Sequence, residues 1–356
     1  KFKMFKINIV PYTLKFKNPA GTSRGVYKEH KVWYLLFINV ETPLHFGIGE
    51  CAPLQDLSCD YNEGYEKQLF SFCKLTEEKQ MVDIEILRDY PSILFGMETA
   101  MRHYEQQSWQ LWESPFSKGN KGITINGLIW MGNYSEMMQR IKVAINKGFR
   151  CIKMKIGAID FNSELELLRH IRTQYSKEEL ELRVDANGAF TTQEAIEKLN
   201  LLAELNIHSI EQPIKAGQLK DMSLLCSISP LAIALDEELI GINNYEDKRS
   251  LLEKIKPQYI ILKPSLHGGI SGCEEWISLA EELGVLWWAT SALESNIGLN
   301  SIAQWTATFK NNLPQGLGTG SLYTNNISLP LNIEGEQLWF SPKGSFPNLS
   351  SFRTNE

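Results

Sequence analysis

The feature that most limits what this chain can fold into is a row of five charged residues, each closing a short apolar run. They are Lys155 in Ile-Lys-Met-Lys-Ile-Gly, Asp185 in Leu-Arg-Val-Asp-Ala-Asn-Gly, Glu211 in Ser-Ile-Glu-Gln-Pro, Asp236 in Ala-Ile-Ala-Leu-Asp-Glu and Lys263 in Tyr-Ile-Ile-Leu-Lys-Pro. Neighbours in the row lie 25 to 30 residues apart. That length holds one strand, one helix and two connections. Reactive groups repeated at successive strand tips converge when parallel strands close into a barrel, because every tip then opens on one mouth.

The surrounding pattern fits. Candidate strands end near Asn126, Lys155, Asp185, Glu211, Asp236, Lys263, Ser291 and Gly318, which makes eight. Helical stretches fill the gaps, and several open with a capping-box spacing: Asn133/Glu136, Thr191/Glu194, Asn243/Glu246 and Ser271/Glu274. Phe161, Leu165, Leu168, Ile171 and Tyr175 form one apolar stripe, as on a helix packed against a barrel. Gly148 and Gly284 fall where two helices should stop. The chain has 356 residues, more than the roughly 250 of a typical barrel. The surplus is at the start. Phe5–Val10 and Val32–Val40 read as strands, separated by a polar loop Asn18–Gly25, and residues from Tyr61 to Trp112 turn helical. The fold class expected is therefore α/β, a (β/α) TIM-type barrel over 117–323, with an N-terminal α+β capping domain over 1–116 that residues 324–356 return to complete. A second loop, Gly47-Ile-Gly-Glu-Cys-Ala-Pro53, has the spacing of a dinucleotide fingerprint, but no amphipathic helix follows it.

Several function classes drop out. A net charge of −6 leaves no basic footprint for nucleic acid. The most apolar stretch, Val32–Val40, has nine residues and cannot span a bilayer. Six scattered cysteines without a Cys-x-x-Cys pair suit free thiols in a reducing compartment. No signal-peptide pattern opens the sequence, which makes the cytoplasm the expected location.

Three carboxylates at one mouth repel one another unless a cation lies between them. Asp185, Glu211 and Asp236 offer only oxygen, which suits a hard ion, Mg²⁺ first and Mn²⁺ as the alternative. An isolated Asp at a strand end is more often a solvated loop residue or a helix cap, but three at equivalent tips point to a site. Lys153 and Lys155 stand two apart, so on one strand they face the same side. Alone, such a pair would read as a surface strand; with Ile152, Met154 and Ile156 facing the helix layer, both lysines face the lumen. Crowding two ammoniums there should lower the pKa of at least one. Lys263 would stand nearly opposite. Lysines on two sides of a bound carboxylate can take its α-proton and steady the resulting anion.

Lys-x-Lys followed by Asp185, Glu211, Asp236 and Lys263-Pro-Ser-x-x-Gly-Gly resembles the enolase superfamily, in its muconate-lactonizing branch, over the whole chain. By that resemblance Lys155 is the catalytic base and Lys263 its opposing lysine. Asp185, Glu211 and Asp236 are the metal ligands, and Asn187 is a polar neighbour of the metal. The stretch Ser291-Ala-Leu-Glu-Ser-Asn-Ile-Gly298 is similar to the seventh-strand loop of the o-succinylbenzoate synthases within that branch. Ser291 and Ser295 could there donate to a substrate carboxylate, or Ser295 could simply cap the next helix. Dipeptide epimerases of the branch carry Asp-x-Asp at the eighth tip, where this chain has Gly318 and Gly320. Arg24, like Glu50, lies in a capping loop expected over the mouth, and either meets a substrate carboxylate or is solvated. The resemblance implies Mg²⁺-dependent syn-dehydration of a cyclohexadiene carboxylate to o-succinylbenzoate, on the route to menaquinone. The same residues could instead racemise an N-succinylamino acid, and a non-catalytic metal-binding barrel is a third reading.

Overall fold

The computed structural model describes residues 4–22 and 25–352. The chain opens with an antiparallel sheet of β1 (Phe5–Thr22), β2 (Gly25–Asn39) and β3 (Phe46–Cys51). Three helices follow: α1 (Tyr65–Lys79), α2 (Ile84–Leu87) and α3 (Pro91–Gln106). The expected polar loop after Asn18 is mostly strand. The β1–β2 ladder breaks between Lys15 and Ala20, then resumes in a new register to Thr22↔Gly25. Pro19, which cannot donate to a ladder, sits in that break. The Gly47-x-Gly49 segment is also strand rather than loop. Its glycines let α3 lie directly on β3: a Cβ on Gly49 would collide with the carbonyl of Gly96, and one on Gly47 with that of Ala100. Close packing, with no nucleotide, accounts for both.

Alternation of strand and helix then begins, with β4 (Ile123–Thr124), β5 (Gly127–Ile129), α4 (Tyr134–Asn146), β6 (Cys151–Lys155), α5 (Phe161–Gln174), β7 (Glu181–Asp185), α6 (Thr192–Ala203) and β8 (Ser209–Glu211). It continues through α7 (Leu219–Ile228), β9 (Ile233–Leu235), α8 (Tyr245–Ile255), β10 (Tyr259–Leu262), α9 (Gly269–Leu283), β11 (Leu286–Ala289) and α10 (Asn296–Thr306). Strands β5 to β11 form one parallel sheet in chain order. Its two edges are joined by residues 315–316. Gln315 bridges Ile125 and Gly316 bridges Thr290, both in parallel sense. The eighth strand is thus only a two-residue link, and the first runs past Asn126 to Ile129. Ile152, Met154 and Ile156 share one core with the α5 stripe of Leu165, Leu168 and Ile171, while the intervening lysines border the pocket in the lumen. Beneath Asp185, Arg183 lies 4.1 Å over the Trp288 ring and donates to Glu181 and Pro314, closing the lumen floor.

The chain beyond Tyr323 divides. Thr324 and Asn325 bond to β1, and Phe352 meets Tyr34 edge-on. Between them β12 (Leu331–Glu334) and β13 (Gln337–Phe340) form a hairpin that pairs with β4 at the start of the barrel. All six cysteines are free thiols. Among the described residues no helix is long and apolar enough to cross a membrane.

Two of the expected caps differ. Asn244, not Asn243, caps α8. Helix α9 starts from left-handed Gly268, and its first N–H groups are taken by Glu98 of α3, which accepts from Ile270 (2.7 Å) and Ser271 (3.0 Å). Helix α10 is served likewise: Glu50 of β3 accepts from the Ser295 N–H and hydroxyl and from the Gly298 N–H, at 2.6–2.8 Å. Two acids from the N-terminal layer thus cap two consecutive barrel helices, where the helix dipole favours negative charge.

Burial pushes both acids up, to about 7, against the pull of those donors. Each binds its proton more tightly folded than unfolded, so the stability they contribute is full below pH 4.5 and is lost as pH rises through 7. Stability should therefore fall across that window by up to about 3 kcal/mol per acid. Urea unfolding from pH 4.5 to 8 checks this, and in Glu98→Gln the fall should be shallower; an unchanged pH slope would rule Glu98 out as a contributor.

Candidate active site

Strand register sets the site. Lys155 pairs across with Asp185, and Asp185 with Glu211. Asp236 and Lys263 each follow the last residue of their strand by one position. All five side chains, and Lys153, are buried at the carboxyl end of the sheet. After Asp185 the chain must turn at once, and it does so through left-handed Asn187 (φ 46°) and Gly188 (φ 74°). Asn tolerates that conformation because its short polar side chain bonds locally. Here the Asn187 N–H donates to Asp185 Oδ1 (3.0 Å) and its carboxamide bridges Lys155 and Glu237.

Each acid holds an ammonium. Lys155 Nζ lies 2.8 Å from Asp185, Lys153 Nζ 2.9 Å from Glu211 and Lys263 Nζ 2.5 Å from Asp236. Longer contacts join the pairs: Lys153 to Asp185 at 3.6 Å and Lys263 to Glu211 at 3.7 Å. The expected lowering of a lysine pKa by its twin is overturned for Lys153. Burial does pull it down, but Glu211 and Asp185 outweigh burial and repulsion and hold it above the usual lysine range. Lys263 is raised further against burial by Asp236, Glu211 and Glu237. Burial works to raise Asp185 too, yet the three ammoniums carry it well below the usual carboxylate range. Asp236 is the acid hardest to keep ionised, being buried beside Glu237 and Glu211 with Lys263 as its main counter-charge. His267 completes this side: its Nδ1 accepts from the Lys263 N–H, and its Nε2 points at Asp236 Oδ1 from 3.5 Å. Burial and the Lys263 charge keep that imidazole neutral.

The pocket over this cluster is walled by Trp130, whose ring centroid is 5.6 Å from Lys155 Nζ, and by Tyr27, Leu54 and Leu57 from the N-terminal layer. Those four had no sequence signal beyond being large and near a strand end or in a loop. Of the two readings for these serines, ligand contact or helix cap, Ser295 takes the cap and Ser291 is held by a neighbouring acid. Ser291 lines the pocket, but its hydroxyl donates to Glu294 (2.7 Å). Ser295 lies outside the lining; its hydroxyl donates to Glu50 and accepts from Ile297 as the α10 cap. Both protons are spoken for by buried glutamates, so neither serine is placed to donate to a ligand carboxylate. Arg24 lies outside the described residues.

The sequence model for the enolase C-terminal domain-like family matches residues 136–338, from α4 through β13 and thus across the whole cluster. The chain belongs to the enolase superfamily. Its similarity to o-succinylbenzoate synthase of Desulfotalea psychrophila is 42% identity, covering 92% of this chain and 97% of that one. The crystal structure of MenC from the same organism superposes with a TM-score of 0.81 and 38% identity, over 94% of this chain and 99% of that one. A dipeptide epimerase from Enterococcus faecalis, solved with Mg and a dipeptide, shares the fold at a TM-score of 0.81 and 18% identity, over 95% and 97%.

Enolase superfamily enzymes use a divalent metal ion. Among the described residues no three His, Cys, Asp or Glu side chains are gathered as a ready metal cage, and each of the three acids is paired with a lysine. The donor set nonetheless fits. It is all oxygen, and among the described residues Glu211 Oε1 and Asp236 Oδ1 are buried without a hydrogen-bond partner. Anionic oxygens in that state are costly unless a cation takes them.

Proposed function

We propose that this enzyme is a lyase that forms o-succinylbenzoate by syn-dehydration of the 2-succinyl-6-hydroxy-cyclohexadiene carboxylate. The observation that carries the reading is the 42% identity to a synthase of that product over nearly the full length of both chains. The lumen supports it. Lys155 and Lys263 both border the pocket, on strands separated by the three acid-bearing ones. The pocket above them is walled by aromatic and aliphatic side chains, which suits a six-membered ring. The eighth tip, at Gly318 and Gly320, has no acid to hold a substrate ammonium.

In this reading residues 117–323 carry the catalysis and the N-terminal layer covers the mouth. Asp185, Glu211 and Asp236 would hold the divalent ion, Mg²⁺ by preference for hard oxygen donors. Held there, the ion would supply positive charge to the three acids and polarise the substrate carboxylate. Lys155 takes the proton α to that carboxylate and returns a proton to the departing hydroxyl on the same face. Lys263 stays protonated and steadies the anion from the other side. Lys153 pairs with Glu211 at 2.9 Å, and Asn187 holds Lys155 in place.

The test is incubation with the cyclohexadiene precursor and Mg²⁺, followed by the absorbance of the aromatic product. Formation should need the metal and stop on chelation. No aromatic product from metal-loaded protein would overturn the assignment.

A further inference from the structure

The ring of strand tips has a second arc that the chemistry above leaves unused. The lysines and acids stand on or just beyond β6 to β10. The remaining arc is built by β5, β11 and the link at 315–319, and three of its polar side chains border the same pocket: Asn126, Thr290 and Thr319. All three are buried, and among the described residues Asn126 Oδ1, Thr290 Oγ1 and Thr319 Oγ1 have no hydrogen-bond partner. The Asn126 amide is oriented by its own Nδ2, which donates to Gly127 O at 3.1 Å. Thr290 Oγ1 occupies space that a side chain at 316 would take: a Cβ built on Gly316 would lie 2.5 Å from it. Buried polar atoms are nearly always partnered, and exceptions gathered on one pocket wall ask for a ligand. Among the described residues, the cations bordering the pocket, Lys153, Lys155 and Lys263, all lie on the other arc. A carboxylate would therefore be poorly matched here, whereas a neutral oxygen accepting from hydroxyls would be well matched.

We infer that Thr290 and Thr319, flanked by Asn126, form the subsite that reads an uncharged carbonyl on the substrate's side arm. This rests on the function proposed above, where that carbonyl is the ketone of the succinyl arm. Thr290 and Thr319 donate to the ketone oxygen, and Asn126 Oδ1 faces a donor such as a bridging water. A site built to bond an oxygen discriminates against an analogue lacking it, because its own polar atoms then stay unpaired.

Calorimetric titration of the Mg²⁺-loaded protein with o-succinylbenzoate and with the analogue whose ketone is a methylene tests this. Both ligands carry the same two carboxylates. The wild-type chain should bind the ketone at least about tenfold more tightly, the range of one or two net hydrogen bonds. In a T290V/T319V variant that preference should shrink to within about twofold, with binding of the methylene analogue unchanged. Thr290→Ser and Thr319→Ser should retain it. The isosteric valines are checked by melting temperature, and each single Val variant carries the test should the double one not fold. A preference that persists in the Val variants, or is absent from a wild-type chain that turns over the precursor, overturns the subsite alone. A wild-type chain that neither binds o-succinylbenzoate nor turns over the precursor overturns the function and the subsite with it.

Discussion

Lys155→Ala should fold, bind divalent metal and lose turnover by at least about a thousandfold, the range expected for removing a positioned general base. The fold should survive because Asp185 keeps a second ammonium, Lys153, at 3.6 Å and still accepts from the Asn187 N–H. Neither neighbouring lysine is placed to take over the proton transfer. Lys153 is tied to Glu211, and Lys263 is tied to Asp236 on the far side of the acids. Lys155→Arg separates two meanings of the result. Arginine can restore the ion pair with Asp185 but does not deprotonate at working pH. A purely electrostatic role would leave the Arg variant active, whereas a base leaves it as inactive as the Ala variant. Rates with the cyclohexadiene precursor, circular dichroism and metal titration decide the matter. Near-normal turnover in the Ala variant removes Lys155 from the chemistry.

What the sequence revealed and what it hid divide along a physical line. The tip residues were legible because a parallel barrel imposes one period on its strands, and Lys155, Asp185, Glu211 and Asp236 follow it even where the strand is three residues long, as at β8 and β9. Local caps were legible for the same reason: Asn133 and Thr191 find their partners three residues away. Contacts closed by tertiary structure were not. Ser295 reads equally well as a ligand contact or a cap, and the acid that claims its hydroxyl is Glu50, 245 residues earlier. Helix α9 has a plausible local cap in Ser271, yet Glu98 of another layer takes its N–H groups. The lysine charges failed differently. Lys153 beside Lys155 predicts repulsion, and the sign reverses because Glu211 comes within 2.9 Å across strands whose register composition does not report. The eighth strand, expected to end near Gly318, is only the two bridging residues 315 and 316, too short for a pattern to fix its bounds.

Glu211→Gln should destabilise the fold by roughly 3–5 kcal/mol and abolish metal binding, because Glu211 lies between two lysines and its removal strands buried charge. Gln keeps the volume of Glu but turns an amide dipole, and no net charge, towards Lys153 at what was a 2.9 Å ion pair. Asp185 alone cannot make up the loss, since it already serves Lys155 at 2.8 Å. The compensating change is Lys153→Met, which removes the stranded ammonium while keeping an unbranched side chain in its place. The double variant should recover most of the lost stability, as replacing both partners of a buried pair generally costs far less than removing one. It should recover neither metal binding nor turnover. Urea unfolding and Mg²⁺ titration of the two single variants and the double variant complete the cycle. Undiminished metal affinity in Glu211→Gln would exclude Glu211 as a ligand, and a double variant no more stable than Glu211→Gln would show that the cost lies outside the ion pair.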